Sequence, residues 1–224
     1  MARLNLWLSA LGDHLSAHWA QHLIPAGAIL AMLVVFGWCM LAFWLLIFGG
    51  TILLLALELE VAAMICFVGV SAIGSLFMLC YQLCGAVLML GYARLTLRLQ
   101  QGHETTWREL LWGFSHPLRS FGFVFVVAMV VFMSASLIYL PLIFLGGWLM
   151  LAAPSLADGD RGLFGALGRA WSLSGRAYGE LLLLVLGVGG VSLFVGFFPL
   201  IGPVAVPLFA VIVGVVVYDS LMRE

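Results

Sequence analysis

Lysine is absent from this 224-residue chain, only 8% of residues are charged, and the nine basic residues are all arginine. Soluble domains carry roughly 25% charged residues, so this composition excludes an ordinary water-soluble globule. Between Asp13 and Glu104 the only carboxylates are Glu58 and Glu60. The long apolar runs hold no internal Asp, Glu, Lys or Arg, except Arg94, Glu180 and Asp219 near expected ends. Ion-coupled transport and acid–base catalysis inside a membrane need such groups, and the runs do not supply them. No GxSxG, HExxH or GxxxxGK[ST] pattern occurs, which removes the usual signatures of hydrolases, metalloproteases and nucleotide-driven enzymes. The four cysteines, Cys39, Cys66, Cys80 and Cys84, all sit in apolar runs, where they act as small hydrophobic residues and imply no disulfide framework.

What is present is apolar: 65% hydrophobic residues and a mean hydropathy of +1.21. Only short polar stretches interrupt the runs, and none could fold alone, so a single integral membrane domain over 1–224 is expected. Residues 1–24 place Leu4, Leu8, Leu11, Leu15 and Trp19 on one stripe of an interfacial helix. This start lacks the basic region, short core and cleavage site of a signal peptide, so the first span is expected to be retained. Pro25 opens a hairpin over 25–98, with Gly49 and Gly50 expected to break or tilt its first arm and Glu58 and Glu60 at its outer turn. Residues 50–97 alone are long enough for about two spans of ~20 residues, which leaves four passes as the alternative. A second interfacial helix, 99–118, opens on Thr106 and Glu109, spaced as a capping box, and ends at Pro117. Its apolar stripe is Trp107, Leu110, Leu111, Phe114 and Leu118. Residues 119–155 make hairpin two, turning near 136–141, or else one span and a re-entrant half-helix. A third hairpin follows over 181–221, turning at Pro199–Pro203.

The stretch 158–180 organises this plan. As a helix it carries Leu163, Leu167, Ala170, Trp171, Ser174 and Tyr178 on one side and Gly165, Arg169, Ser172 and Arg176 on another, the pattern of a surface helix. Arginine placement then sets the threading, because the basic groups at the N-terminus, 94–119, 161–176 and 223 share one side only if the spans pair as hairpins. The expected fold is all-α, a polytopic membrane helical bundle of about six transmembrane helices in three hairpins, each preceded by an amphipathic interfacial helix. Trp112, Ser115, Arg119 and Gly122 enter one hairpin much as Trp171, Ser174, Arg176 and Gly179 enter the next, a faint internal echo.

Pro154, the acidic residues after it, Ala166 with Ser172 or Ser174, and then Pro199, Pro203 and Tyr218 form a pattern over 94–221. It resembles the YciC-type bacterial inner-membrane proteins and the membrane domain attached to some glycerophosphodiester phosphodiesterases. The resemblance implies a six-helix architecture in a bacterial inner membrane. It transfers no activity, since the soluble phosphodiesterase domain is not in this chain.

His14, His18 and His22 recur every fourth residue and could bind a divalent metal from one helix face. Successive members drift about 40° around the helix, so interfacial side chains are the preferred reading and no metal is expected. Cys80 and Cys84, one turn apart, lack a polar second pair, and plain packing is preferred there too. Arg94, Arg98, Arg108, Arg119, Arg161, Arg169 and Arg176 are the candidate lipid-headgroup contacts. Ser71, Ser75, Gly187, Gly189, Gly190, Ser192 and Gly196 are the candidate helix-packing positions, within the chain or against a protein partner or second copy. The expected function is a non-enzymatic membrane-organising or accessory subunit engaging anionic lipids, without cofactor or nucleic acid, and with both termini cytoplasmic. The alternative is a permease for a neutral or lipidic solute.

Overall fold

The computed structural model describes residues 2–136, 140–159, 162–196 and 202–224. Among them every regular element is helical: α1 (Ala2–Ala56), α2 (Glu60–Gln100), a 3-10 turn (Trp107–Leu111), α3 (Trp112–Ser115), α4 (Pro117–Ser136), α5 (Leu140–Ala157), α6 (Leu163–Arg176), α7 (Tyr178–Gly196) and α8 (Gly202–Arg223). Four of these, α1, α2, α4 and α8, are long and apolar enough to cross a membrane, the profile of a multi-pass helical membrane protein. The apolar parts of α5 and α7 are shorter. The turns expected at 136–141 and 199–203 fall on residues 137–139 and 197–201, outside the described ones.

The interfacial helix does not end near residue 24 and, of the break or tilt expected at Gly49–Gly50, the break is absent, because α1 continues through Pro25 for 55 residues. Opening a helix within hydrocarbon strands N–H and C=O groups that no water can satisfy, which costs more than the one bond that proline removes. The chain does turn at the two glutamates. Leu59 N–H donates to Leu54 C=O and Glu58 N–H to Leu55 C=O, closing α1 in a Schellman motif with Glu58 at φ 60°. The C-terminus of α2 closes in the same way, where Gly102 takes φ 77° and His103 N–H reaches Arg98 C=O. Glycine suits this left-handed position and glutamate is strained there, so Glu58→Gly is expected to stabilise the protein by up to about 1 kcal/mol. A thermal midpoint in detergent that stays level or falls would count against this reading of the turn.

The chain forms two compact units, one of Ala28–Gly85 and one of the residues up to Gly27 together with Ala86–Glu224. Within the smaller unit Phe36 stacks on Phe77 and Tyr81, and Phe43 packs over Gly74. Most of its large apolar side chains face outward, Trp38, Leu46 and Ile65 among them. In the larger unit α5 is the central element and packs on α4, α6, α7 and α8. Its buried residues are small or compact, Leu151, Ala152, Ala153, Ser155, Leu156 and Ala157, which lets four neighbours approach. At the closest approaches the partner of a backbone is glycine: Gly91 lies on the Leu110 carbonyl, and Gly214 lies on that of Met150.

Candidate functional site at the arginine-bearing end

All eight described arginines belong to the larger unit, and the contacts of Arg3, Arg94, Arg119 and Arg169 join the ends of its helices. Arg3 on α1 pairs with Glu224 at 3.1 Å and donates to the Arg176 carbonyl. Arg94 on α2 donates Nη1 to the Ala157 carbonyl at the end of α5, and Arg119 on α4 donates to that of Gly159. Each guanidinium thus satisfies carbonyls that a helix C-terminus leaves open.

Two of these centres are deeper than a surface helix implies. Glu109 takes Arg94 Nε on one oxygen at 2.9 Å and Arg98 Nη1 on the other at 2.8 Å, and the Arg94 guanidinium lies over the Trp112 ring. The expected capping box therefore does not form: Thr106 makes no side-chain cap, and the segment opens as a 3-10 turn. Two charge-assisted bonds to arginine outcompete one to a backbone N–H. The apolar stripe assigned to this segment also divides, since Leu110 is buried while Trp107, Phe114 and Leu118 face outward.

The second centre joins α5, α6 and α8. Arg169 Nη1 donates to Asp158 Oδ2 at 2.6 Å and to the Tyr218 hydroxyl oxygen at 2.8 Å, while the Tyr218 hydroxyl donates to the same carboxylate oxygen at 2.9 Å. The Arg169 side chain is only 13% exposed. Burial works against its charge, but Tyr218 and Asp158 outweigh that and push its pKa further up. On α6 the packed face is Ala166, Ala170, Leu173 and Ser174, fastened to α5 by Ser155 Oγ on the Ala166 carbonyl and Trp148 Nε1 on that of Leu167. Trp171 and Tyr178, assigned to the apolar side of this surface helix, are exposed, as is Phe164.

Of the arginines assigned to headgroups, Arg94, Arg98, Arg119 and Arg169 bond within the protein, while the side chains of Arg108 and Arg176 are exposed and unpaired among the described residues. Arg161 lies outside the described residues. Of the packing positions, Ser75 and Ser192 donate to carbonyls of their own helices, Ser71 and Val188. A Cβ at Gly187, Gly189 or Gly190 meets no atom within 4 Å, so the tight approaches lie at other glycines. Gly196 ends α7, and its packing lies outside what is described.

The N-terminal part of α1 turns inward a face that overlaps the leucine stripe only at Leu11 among its buried residues. Trp7, Leu11, His14 and His22 are buried, whereas Leu8 and Trp19 are exposed. His14 Nε2 and His22 Nε2 share a hydrogen bond at 3.1 Å, and His22 Nδ1 bonds the Tyr92 hydroxyl at 2.8 Å. Tyr92 on α2 is what draws the imidazoles inward, because a buried polar ring needs such a partner. His18 stays outside and bonds Gln21. Among the described residues no group of three His, Cys, Asp or Glu side chains is placed to hold a metal.

Two open cavities flank these centres. One, about 360 Å³, is lined by Arg94, Arg98, Gln101, His103, Glu104 and Asp158, and its charges balance. The other, about 580 Å³, lies along α6 and the end of α8. Comparison with protein-family models, with curated proteins and with solved structures finds no match for this chain.

Proposed function

We propose that this is a non-enzymatic, polytopic inner-membrane protein that engages anionic phospholipid headgroups with its arginine-bearing end, as a membrane-organising or accessory subunit. The observation that carries the reading is the separation of surfaces: the eight described arginines gather around the ends of α1, α2, α4, α5, α6 and α8, while large apolar side chains cover the outside of the helices. In this reading α1, α2, α4, α5, α7 and α8 cross the bilayer as three hairpins with both chain ends on the cytoplasmic side. The contacts of Arg3 with Glu224, Arg94 with Ala157 and Arg119 with Gly159 support one shared end for these helices. The resemblance of 94–221 to YciC-type proteins belongs to the same proposal.

Each exposed basic group near an anionic surface contributes on the order of 1 kcal/mol of attraction, and Arg108 and Arg176 have no internal partner among the described residues that would cancel it. The test is native mass spectrometry of the full-length protein released from nanodiscs of equal phosphatidylglycerol and phosphatidylcholine. Phosphatidylglycerol is expected to be retained in excess, with the excess shrinking as salt rises. Retention in the bulk ratio at low salt would sink the reading.

A further inference from the structure

We propose that the groove between α6 and the last turn of α8 is a binding site for the phosphate of an anionic phospholipid. The inference rests on the headgroup reading above and names where that contact is made. The groove holds about 580 Å³, and one wall is the polar stripe of α6: Gly165, Arg169, Ser172 and Arg176, at intervals that repeat along one helix face. The other wall is Leu221, Met222 and Glu224.

The two guanidinium groups differ in a way that suits capture of a phosphate. Arg169 is anchored through Nη1, which holds both Asp158 and Tyr218, and its Nε and Nη2 have no partner among the described residues. Arg176 is exposed, with its side chain equally unengaged, two turns further along the same face. Ser172 adds a hydroxyl between them that makes no bond among the described residues. An anchored donor pair and an unengaged one can close on a phosphate from two sides, each with parallel N–H donors. Among the described residues the only carboxylate side chain lining the groove is that of Glu224, and Arg3 already holds it at 3.1 Å. With Arg169 paired to Asp158 and Glu224 to Arg3, the unpaired Arg176 gives the groove its positive balance, unlike the charge-balanced cavity beside Arg94.

A free phosphate ion and a lipid share this chemistry, and the rest of the groove favours the lipid. Leu173 and Leu221 supply an apolar floor, Met222 is half exposed at the rim, and Phe164 and Trp171 project from the neighbouring faces of α6. Exposed aromatic rings beside arginines are the usual furniture of a membrane interface.

The experiment titrates the full-length protein in neutral detergent with short-chain phosphatidic acid, phosphatidylcholine and inorganic phosphate, read by native mass spectrometry. Phosphatidic acid is expected to bind best. Arg176→Gln should weaken it about tenfold, the effect of losing a hydrogen bond to a charged group. Arg176→Lys should restore part of the affinity and Ser172→Ala should lower it less, while Arg223→Gln, which removes the same charge from a residue paired with Asp219, should leave it unchanged. Equal weakening by Arg223→Gln would reduce the effect to net charge and overturn the proposal. Inorganic phosphate binding as tightly as the lipid would overturn the lipid assignment. Unchanged lipid binding in Arg176→Gln and Ser172→Ala, with phosphatidylglycerol still enriched on the wild type in nanodiscs, would remove the groove and leave the broader headgroup reading standing. Loss of that enrichment would end both.

Discussion

Replacing Arg169 by methionine is expected to destabilise the protein by about 3 kcal/mol, the largest effect of any single arginine, because it leaves a half-buried carboxylate without its counter-charge. Among the described residues Asp158 would keep only the Tyr218 hydroxyl, and that hydroxyl would lose its contact with the guanidinium. At this chain length such a loss lowers a thermal midpoint by roughly 6–12 °C. Tyr218→Phe removes one neutral donor from the same centre and should cost nearer 1 kcal/mol. The pair Asp158→Leu with Arg169→Met should be less damaging than Arg169→Met alone, since it removes both charges together. The comparison is made on detergent-solubilised protein by a fluorescence-detected thermal shift. If the Arg169 and Asp158 effects simply add, the three side chains do not act as one unit, and the linkage of α5, α6 and α8 must be attributed to apolar packing.

That centre shows where reading the sequence stops. Asp158 and Tyr218 lie 60 positions apart and share no helix face, so although both belong to the pattern over 94–221, only the packing of α5 on α8 brings them together. Features governed by local rules were legible. The apolar runs become long helices because lipid leaves the backbone no other way to satisfy its polar groups, and the glutamates at 58 and 60 fall at a helix end. The echo between Trp112–Ser115 and Trp171–Ser174 is real at the level of one bond, for each serine donates to the carbonyl of the tryptophan three residues before it. It goes no further: Trp112 carries Arg94, while Trp171 meets the edge of Trp148. Where two local choices competed, the tertiary partner decided. Glu109 had a capping position within reach and took two arginines instead, and residues 1–24 turned inward the face that carries His14 and His22, toward Tyr92, leaving out Leu8 and Trp19.

Glycine divides in the same way, and this gives the second large effect. Gly91→Ala is expected to cost about 3 kcal/mol or more, because its new methyl group would overlap the Leu110 carbonyl, and a backbone cannot swing aside as a side chain can. Gly214→Ala should behave alike, with the methyl group 2.5 Å from the Met150 carbonyl oxygen. Gly147→Ala, 3.0 Å from the Leu181 Cβ, belongs between the extremes. Gly189→Ala faces no atom within 4 Å and should be neutral or stabilising by up to about 1 kcal/mol, as alanine is the better helix former. The sequence alone favours Gly187, Gly189 and Gly190, since clustered small residues mark close helix contacts in membranes. The structure places the tightest backbone contacts elsewhere, at Gly91, Gly113 and Gly214, each opposite one particular carbonyl. Fluorescence-detected size exclusion after a heating series separates these cases, with Gly91→Ala and Gly214→Ala losing the monodisperse peak first. A reversed order, with Gly189→Ala the more damaging, would mean that α7 uses its glycine face against a second copy of the chain, and that assembly rather than the internal fold limits stability.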